Sequence, residues 1–151
     1  MLIKERTIWT PDNCFLLEYK ERCEAGEFII GQELWRELYN LAEDLKNDRY
    51  EYDRYAALLR MDFMENCVRL TKSPYYNKPM VLMMWQKAFI EAVYSFKMSD
   101  TTLRRFKKVL FLIARKNTKS ETCSALGLTE FFLGNAGADI GIVEVLQELE
   151  A

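Results

Sequence analysis

The sequence predicts a mostly α-helical chain with a small α/β part, in which N-terminal helices lead into a strand, a loop and a further helix. Three observations predict this order. Apolar residues recur at spacings of three and four in four segments before residue 97. The apolar run KKVLFLIA (107–114) then has the branched composition of a buried strand. The segment from Lys119 to Leu133 returns to helical spacing and ends at Gly134.

Two helices are predicted in the first third of the chain. Thr10, Pro11 and Asp12 supply an N-cap, a proline at the first helical position and an acid in the first turn. This first helix is expected to stop near Gly26, and a second to begin around Gly31. The predicted apolar face of the second helix, with Trp35 alongside, consists of Leu34, Leu38, Leu41 and Leu45.

A turn over NDRYEY (47–52) leads into a third predicted helix, from about Asp53 to Leu70. Its predicted buried face consists of Ala56, Leu59, Phe63 and Cys67. TKSPYYNKP (71–79) contains two prolines and is predicted to be a loop. A fourth helix follows over MVLMMWQKAFIEAVYSF (80–96), and ADIGIVEVL (138–146) is a candidate second strand. The predicted face of the fourth helix consists of Trp85, Phe89, Val93 and Phe96.

Composition narrows the possible chemistry. The 151 residues, half of them hydrophobic, suit a folded domain with a buried core. The absence of histidine excludes Ser-His-Asp triads, Cys-His dyads and imidazole metal sites. Four scattered cysteines form no C-x-x-C pair, so a zinc site is not expected. Reduced thiols, no early apolar leader and no long uncharged apolar run together predict a cytoplasmic protein.

Charge is unevenly distributed along the chain. The net charge of −2 gives no overall attraction to nucleic acid, yet eight basic residues lie between 97 and 119 against the single acid Asp100. After Gly134 there are four acids and no lysine or arginine. A charge cluster is usually a solvated face, and contact with phosphates is the alternative.

The basic segment contains a candidate phosphate-binding loop. A strand, a turn and then Lys119-Ser120 opening a helix is the order of a P-loop, in which helix N-terminal amides and a lysine hold phosphates. Ile113 and Thr118 replace the two glycines of that pattern. Thr118 is the more serious departure, because a β-branched residue resists positive φ. The alternative is a basic strand-turn-helix junction with Lys119 exposed to solvent.

Three segments in order resemble phage terminase large subunits, the motors that package viral DNA. Arg104-Arg105-Phe106 precedes the strand, and the loop RKNTKS (115–120) is similar to the deviant Walker A loop of that family. KPMVLMMWQKAFIEAVYSF (78–96) looks like the segment where a Trp-Gln pair opens a helix, and residues 50–79 are similar to its lead-in. The resemblance covers about residues 48–140. It implies a helical lead-in over 1–75 and the truncated start of a P-loop ATPase domain over 76–151.

The resemblance implies ATP and Mg²⁺ as cofactors. Lys119 would contact the β and γ phosphates, Ser120 would ligate magnesium, and Asn117 and Thr118 would supply loop amides. Arg115 would lie near the γ phosphate. The complete implied phosphate-binding loop consists of Arg115, Lys116, Asn117, Thr118, Lys119 and Ser120.

Other residues of the resembling segments have competing interpretations. Gln86 would read the adenine edge through its paired donor and acceptor, or would simply face solvent. Trp85 is expected in the core rather than stacked on a base. Arg115 and Lys116 would contact either ATP or a DNA backbone.

The family's partners are viral double-stranded DNA, the portal protein and the small terminase subunit, in the cytoplasm of a bacterial host. A homo-oligomer is also an expectation. Only about thirty residues follow Ser120, so the acidic strand end for hydrolysis and the nuclease residues are not expected in this chain, and no catalytic residue is assigned. The chain is therefore expected to be a truncated or prophage-derived fragment. It is expected to be inactive as a nuclease and weak or inactive as an ATPase. The alternative is a non-enzymatic helical interaction module or prophage remnant that binds DNA or a protein.

Overall fold

A computed structural model describes residues 7–101, 103–113 and 118–134 of the chain. This part of the chain is mostly helical and carries one small antiparallel sheet, which confirms the coarse prediction. Its elements are α1 (Phe15–Glu24), α2 (Gln32–Asp44), β1 (Tyr50–Tyr52), α3 (Arg54–Cys67), α4 (Met84–Ser95), β2 (Phe96–Met98) and α5 (Lys119–Leu133). The chain divides into two compact units. Unit 1 comprises Met1–Met61 and Leu82–Val109, and unit 2 comprises Asp62–Val81 and Leu110–Ala151.

The first predicted helix starts five residues later than Thr10. Pro11–Asn13 form only a short 3₁₀ turn, in which the Thr10 N–H donates to Asn13 Oδ1 over 2.8 Å. Cys14 is extended, with φ of −149°, and this breaks the helical path before α1 begins at Phe15. Thr10 and Pro11 therefore specify a short turn that precedes α1.

Helix α2 begins directly after Gly31, as predicted. Leu38, Leu41 and Leu45 are buried in the core of unit 1, whereas Leu34 is 45% exposed. The prediction that Leu34 belongs to the buried face was wrong. It lies in the first turn of the helix, before the three buried leucines.

The sheet pairs strands that lie far apart in the sequence. Strand β1 pairs antiparallel with β2, in a register that places Tyr52 opposite Phe96. The chain then turns back, because Met98 N–H donates to Leu103 O over 2.8 Å and Arg105 N–H donates to Phe96 O over 2.9 Å. Residues 103–105 thus continue the ladder on the other side of β2. The predicted turn over 47–52 contains β1 at its end.

The predicted strand over 107–114 was wrong for its described part. Residues 107–113 belong to no strand or helix, and Leu110 and Leu112 are each 81% exposed. An apolar run specifies a strand only when a neighbouring backbone completes its hydrogen bonds. The candidate second strand, 138–146, lies outside the described residues.

Helix α3 ends at Cys67, three residues before the predicted end, and buries a different face from the one predicted. Its buried positions are Ala57, Met61 and Met64, while Leu59 is 37% exposed and Cys67 is exposed. The true face is one position away from the predicted one. Apolar residues occupy both faces of this helix, so spacing alone does not distinguish them.

A helix was predicted over 80–96, and α4 occupies Met84–Ser95 of it, so its start was predicted four residues too early; its buried side is also broader than the predicted face. Ala88, Ile90, Ala92 and Tyr94 are buried, whereas Trp85, Phe89 and Val93 are only half-buried. A helix that is covered on most sides is typical of the centre of a packed unit. Phe96, just after the helix, is completely buried, as predicted.

A buried charge joins three helices within unit 1. Glu91 of α4 is 0% exposed, and its Oε2 accepts a hydrogen bond from Leu16 N–H over 2.8 Å. Its Oε1 accepts one from Arg54 Nε, also over 2.8 Å. Since Leu16 lies in the first turn of α1, the carboxylate of α4 serves as the anionic cap of α1.

Cys14 lies against the same carboxylate and acts as a small buried donor. Its Sγ lies 3.5 Å from Glu91 Oε2 and 3.5 Å from the Tyr52 hydroxyl. Burial and then the charge of Glu91 raise the pKa of the Cys14 thiol to about 11. The thiol therefore stays protonated at neutral pH.

In unit 2, residues 71–79 are a loop of turns and bends, as predicted, and this loop closes a hairpin over 68–80. Met80 N–H donates to Val68 O over 3.2 Å, and Leu70 N–H donates to Lys78 O over 2.9 Å. Within the same unit the rings of Phe63 and Phe132 lie 5.7 Å apart. None of the helices in the described ranges is long and apolar enough to cross a membrane.

Candidate phosphate-binding site

The candidate site is the first turn of α5, which begins at Lys119 and ends at Leu133 as predicted. Thr122, Ala125 and Thr129 are each 0% exposed, so one face of the helix is fully anchored. Gly134 directly follows the helix, and a Cβ there would lie 2.2 Å from Glu130 O, so a larger residue does not fit at this position without a shift.

Thr118, directly before α5, has a left-handed backbone with φ of 55° and ψ of 23°. Such a conformation costs a β-branched residue about 1–2 kcal/mol. The helix compensates in part, because Thr118 O accepts hydrogen bonds from both Thr122 N–H (2.9 Å) and Thr122 Oγ1 (2.8 Å). The sequence predicted that a threonine at this position would resist a positive φ. In the structure Thr118 nevertheless has a positive φ.

Lys119 and Ser120 form the first turn of α5 and are half-buried. Backbone N–H groups of a first turn point out along the helix axis toward an incoming anion. Glu121 follows in the same turn, and its Oε1 lies 3.7 Å from Lys72 Nζ. The lysine partly offsets the charge of Glu121, which would otherwise repel a phosphate.

Only half of the predicted loop can be placed. Thr118, Lys119 and Ser120 lie together at the start of α5. Arg115, Lys116 and Asn117 lie outside the described residues, so their contacts with a nucleotide or with DNA stay predictions.

Gln86, the predicted adenine reader, lies in unit 1, in the first turn of α4. Its side chain is buried, at 1% exposure, and its Oε1 accepts a hydrogen bond from Met83 N–H over 2.8 Å. The alternative that Gln86 faces solvent was wrong. The amide oxygen caps α4, so adenine recognition by Gln86 requires this bond to open. Trp85 packs partly against the core, as expected.

The basic segment contributes more to packing than its charge suggested. The Arg105 guanidinium carbon lies 4.2 Å from the centroid of the Tyr50 ring, and Nη1 lies 2.6 Å from Asp44 Oδ2. This short contact is an ion pair whose angles do not make it a hydrogen bond. The Arg104 guanidinium lies 5.4 Å from the Tyr94 ring. Arg105 is therefore a structural cation, a role that sequence spacing did not indicate.

The residues present fit a phosphate better than a metal bound by protein alone. No group of three or more cysteines, aspartates and glutamates lies close enough to hold a metal ion within the described ranges. Magnesium typically binds through one or two protein groups and the phosphates themselves. Ser120 fits that requirement only if a nucleotide supplies the other ligands.

The left-handed position of Thr118 leads to a stability prediction. Thr118→Asn is expected to raise the free energy of unfolding by about 1 kcal/mol, because asparagine tolerates this conformation better than threonine. Thr118→Val keeps the β-branch and is the matched control, for which no gain is expected. Urea denaturation followed by circular dichroism measures both. Equal midpoints for the two variants would contradict the assignment of strain to the β-branch.

Comparison with known proteins adds no relative. No family model matches the chain, and neither a curated protein nor a solved structure matches it.

Proposed function

We propose that the chain is the N-terminal part of a phage terminase large subunit, the ATP-driven motor and endonuclease that packages viral DNA into procapsids. One observation carries the proposal: Thr118 takes a left-handed conformation immediately before a helix that begins with Lys119-Ser120. The P-loop pattern has a glycine at that position, a residue that tolerates positive φ and close approach to phosphate. Thr118 has a positive φ at this position although threonine disfavours it. This strain supports a functional requirement for the left-handed conformation.

In this proposal the start of α5 binds the phosphates of ATP. Lys119 places its ammonium beside the outer phosphates, and the first-turn amides donate to phosphate oxygens. Ser120 directs its hydroxyl to a nucleotide-bound Mg²⁺, which neutralises charge on the phosphates when bound. The Lys72–Glu121 pair keeps an adjacent carboxylate from opposing the anion.

We propose that the chain binds ATP but does not hydrolyse it efficiently. Hydrolysis needs an acidic residue that orients water and holds magnesium opposite the loop. Among the described residues the first turn of α5 has only Glu121, and that carboxylate lies beside Lys72. The chain is accordingly proposed to be weak or inactive as an ATPase and inactive as a nuclease. Viral DNA, the portal protein, the small terminase subunit and a homo-oligomer are its proposed partners, in the bacterial cytoplasm.

Titration of the full chain with Mg-ATP by calorimetry tests the proposal. We expect saturable binding that weakens at least tenfold, or about 1.4 kcal/mol, in Lys119→Ala, because the variant loses the cation beside the phosphates. Lys78→Ala is the matched control. It removes a lysine of the same unit from the 68–80 hairpin, near the Tyr75 ring, and should leave the affinity unchanged.

Two results would contradict a phosphate site at α5. One is the absence of heat at millimolar ATP from a protein whose circular dichroism is that of a folded chain. The other is equal weakening by Lys119→Ala and Lys78→Ala, which would indicate unspecific attraction between lysines and an anion. A magnesium dependence that is lost in Ser120→Ala would extend the proposal to the metal.

A second candidate is a non-enzymatic helical interaction module, such as a prophage remnant that binds DNA or a protein. Two residues of the resembling segments favour this candidate, because their side chains make structural contacts. Gln86 caps α4, and Arg105 packs on Tyr50 beside Asp44. A folded chain that binds no nucleotide would favour this candidate.

A further inference from the structure

The hairpin over 68–80 belongs wholly to unit 2, and backbone hydrogen bonds hold its loop in place. At its base Met80, which is 3% exposed, donates its N–H to Val68 O over 3.2 Å. Nearer the tip, Asn77 has a φ of 61° and donates its N–H to Leu70 O over 2.8 Å. The loop is therefore ordered before a ligand arrives, so little conformational entropy opposes binding.

Two adjacent tyrosines in this loop are exposed to solvent. Tyr75 is 57% exposed and Tyr76 is 73% exposed, so the chain itself leaves much of both rings uncovered. All residues from 71 to 79 are exposed. The Tyr76 side chain makes no hydrogen bond or ring contact within the described residues. Both rings therefore present apolar area to a partner rather than to the core of unit 2.

The charge around these rings is positive. The hairpin contains Arg69, Lys72 and Lys78 but no aspartate or glutamate. The Lys78 ammonium lies 5.4 Å from the centroid of the Tyr75 ring. The Arg69 side chain makes no ion pair or hydrogen bond within the described part of the chain. Lys72 is 72% exposed and lies 3.7 Å from Glu121, and an exposed pair of this kind contributes little.

Exposed rings beside cations match the two chemical parts of a nucleic-acid strand. Unpaired bases stack on aromatic side chains, and lysine and arginine attract the phosphates that join them. A duplex keeps its bases stacked on one another, so it offers this hairpin phosphates alone. An acidic peptide would likewise match only the cations. A strand also offers neighbouring bases to two neighbouring rings, which a mononucleotide does not.

We infer that the hairpin over 68–80 binds single-stranded nucleic acid. Tyr75 and Tyr76 stack on unpaired bases, and Lys78 and Arg69 attract the phosphates. The inference goes beyond the double-stranded DNA proposed above as a partner, because it requires unpaired bases. It does not depend on nucleotide binding at the start of α5, since none of these residues belongs to that loop.

Fluorescence anisotropy of a labelled oligothymidylate, titrated with the full chain, tests the inference. The strand has about ten nucleotides, within the site sizes of known single-strand binders. We expect saturable binding with a Kd on the order of 100 µM at low salt, the strength of two stacked bases and a few phosphate contacts. An abasic strand of the same length and charge should bind roughly tenfold more weakly, and so should a duplex of that length. These comparisons use the wild-type protein, so they do not depend on the folding of a variant.

Variants locate the stacking. Tyr75→Ala and Tyr76→Ala should each weaken binding by roughly fivefold or more, the usual effect of losing one base–aromatic stack. Tyr75→Phe and Tyr76→Phe keep the rings and should bind like the wild type. Tyr55→Ala is the matched control, because Tyr55 is 70% exposed but lies in unit 1.

The salt dependence tests the phosphate contact separately. Lys78→Gln removes one cation, so the slope of log K against log salt concentration should become shallower by about 0.7. Lys46→Gln is its control, since Lys46 is 74% exposed and lies in unit 1, and it should leave the slope unchanged.

Each of the following results would overturn the inference. One is the absence of a saturable change up to roughly ten times the expected Kd. Equal binding of the abasic strand or of the duplex would show that the chain attracts phosphates without stacking bases. Equal losses in Tyr76→Ala and Tyr55→Ala, or equal slopes for Lys78→Gln and Lys46→Gln, would place the binding outside the hairpin.

Discussion

Glu91→Leu is expected to lower the free energy of unfolding of unit 1 by about 3–5 kcal/mol, the usual effect of removing one partner of a buried ion pair. Leucine has a similar volume, so the loss reports hydrogen bonds and charge rather than a cavity. The variant leaves Arg54, only 24% exposed, without its carboxylate. It also leaves the Leu16 N–H in the first turn of α1 without its 2.8 Å acceptor.

Urea denaturation followed by tryptophan fluorescence measures this effect. Glu91→Gln keeps an acceptor for Leu16 but loses the charge, so its loss should be intermediate. Glu24→Gln is the matched control, since Glu24 forms an exposed pair with Lys20 on α1 and its replacement should change stability by less than about 1 kcal/mol. A Glu91→Leu variant as stable as Glu24→Gln would contradict the proposed capping of α1. Adding Arg54→Leu to Glu91→Leu should restore part of the stability, because no unpaired charge remains.

Phe96→Ala is expected to destabilise unit 1 by about 3–5 kcal/mol, the range for truncating a fully buried phenylalanine. Phe96 is 0% exposed, and its ring meets Tyr52 at 4.8 Å and Phe106 at 6.5 Å. Truncation removes the centre of this aromatic cluster and leaves a cavity that the rigid sheet cannot close. The same urea denaturation measures the change.

Tyr55→Ala is the control for Phe96→Ala. Tyr55 is also a large aromatic residue of unit 1, but it is 70% exposed on α3, and its loss should stay within about 0.5 kcal/mol. Phe96→Leu refills most of the volume and should lose roughly 1–1.5 kcal/mol. Similar losses for Phe96→Ala and Tyr55→Ala would show that the aromatic cluster is not the stabilising centre of the unit.

Two helix ends were predictable, the start of α2 and the end of α5. Gly31 directly precedes α2 and Gly134 directly follows α5, and glycine is a common residue at helix boundaries. The buried face of α3 was not predictable, because apolar residues lie on several sides and only a distant neighbour selects Ala57, Met61 and Met64. The β1–β2 pairing joins segments more than forty residues apart, and neither short sequence indicates which segment it pairs with.

The candidate site was predictable in position and not in geometry. The Lys119-Ser120 pair at the start of a helix followed from the order of apolar run, polar turn and helical spacing. The left-handed conformation of Thr118 did not, because the intrinsic preference of a β-branched residue opposes it. Burial of Gln86 was likewise hidden, since a glutamine in a helical pattern normally faces solvent.

The discontinuity of unit 1 has a consequence for synthesis in the cell. Its two stretches, Met1–Met61 and Leu82–Val109, are separated by the first part of unit 2. Glu91 and Phe96, which complete the cap of α1 and the aromatic cluster, leave the ribosome tens of residues after the helices they stabilise. The nascent chain must therefore hold α1 and α2 with their apolar faces uncovered until α4 and β2 emerge, a period in which chaperones and proteases compete with folding. A chain released before residue 84 would carry both early helices without α4 and β2.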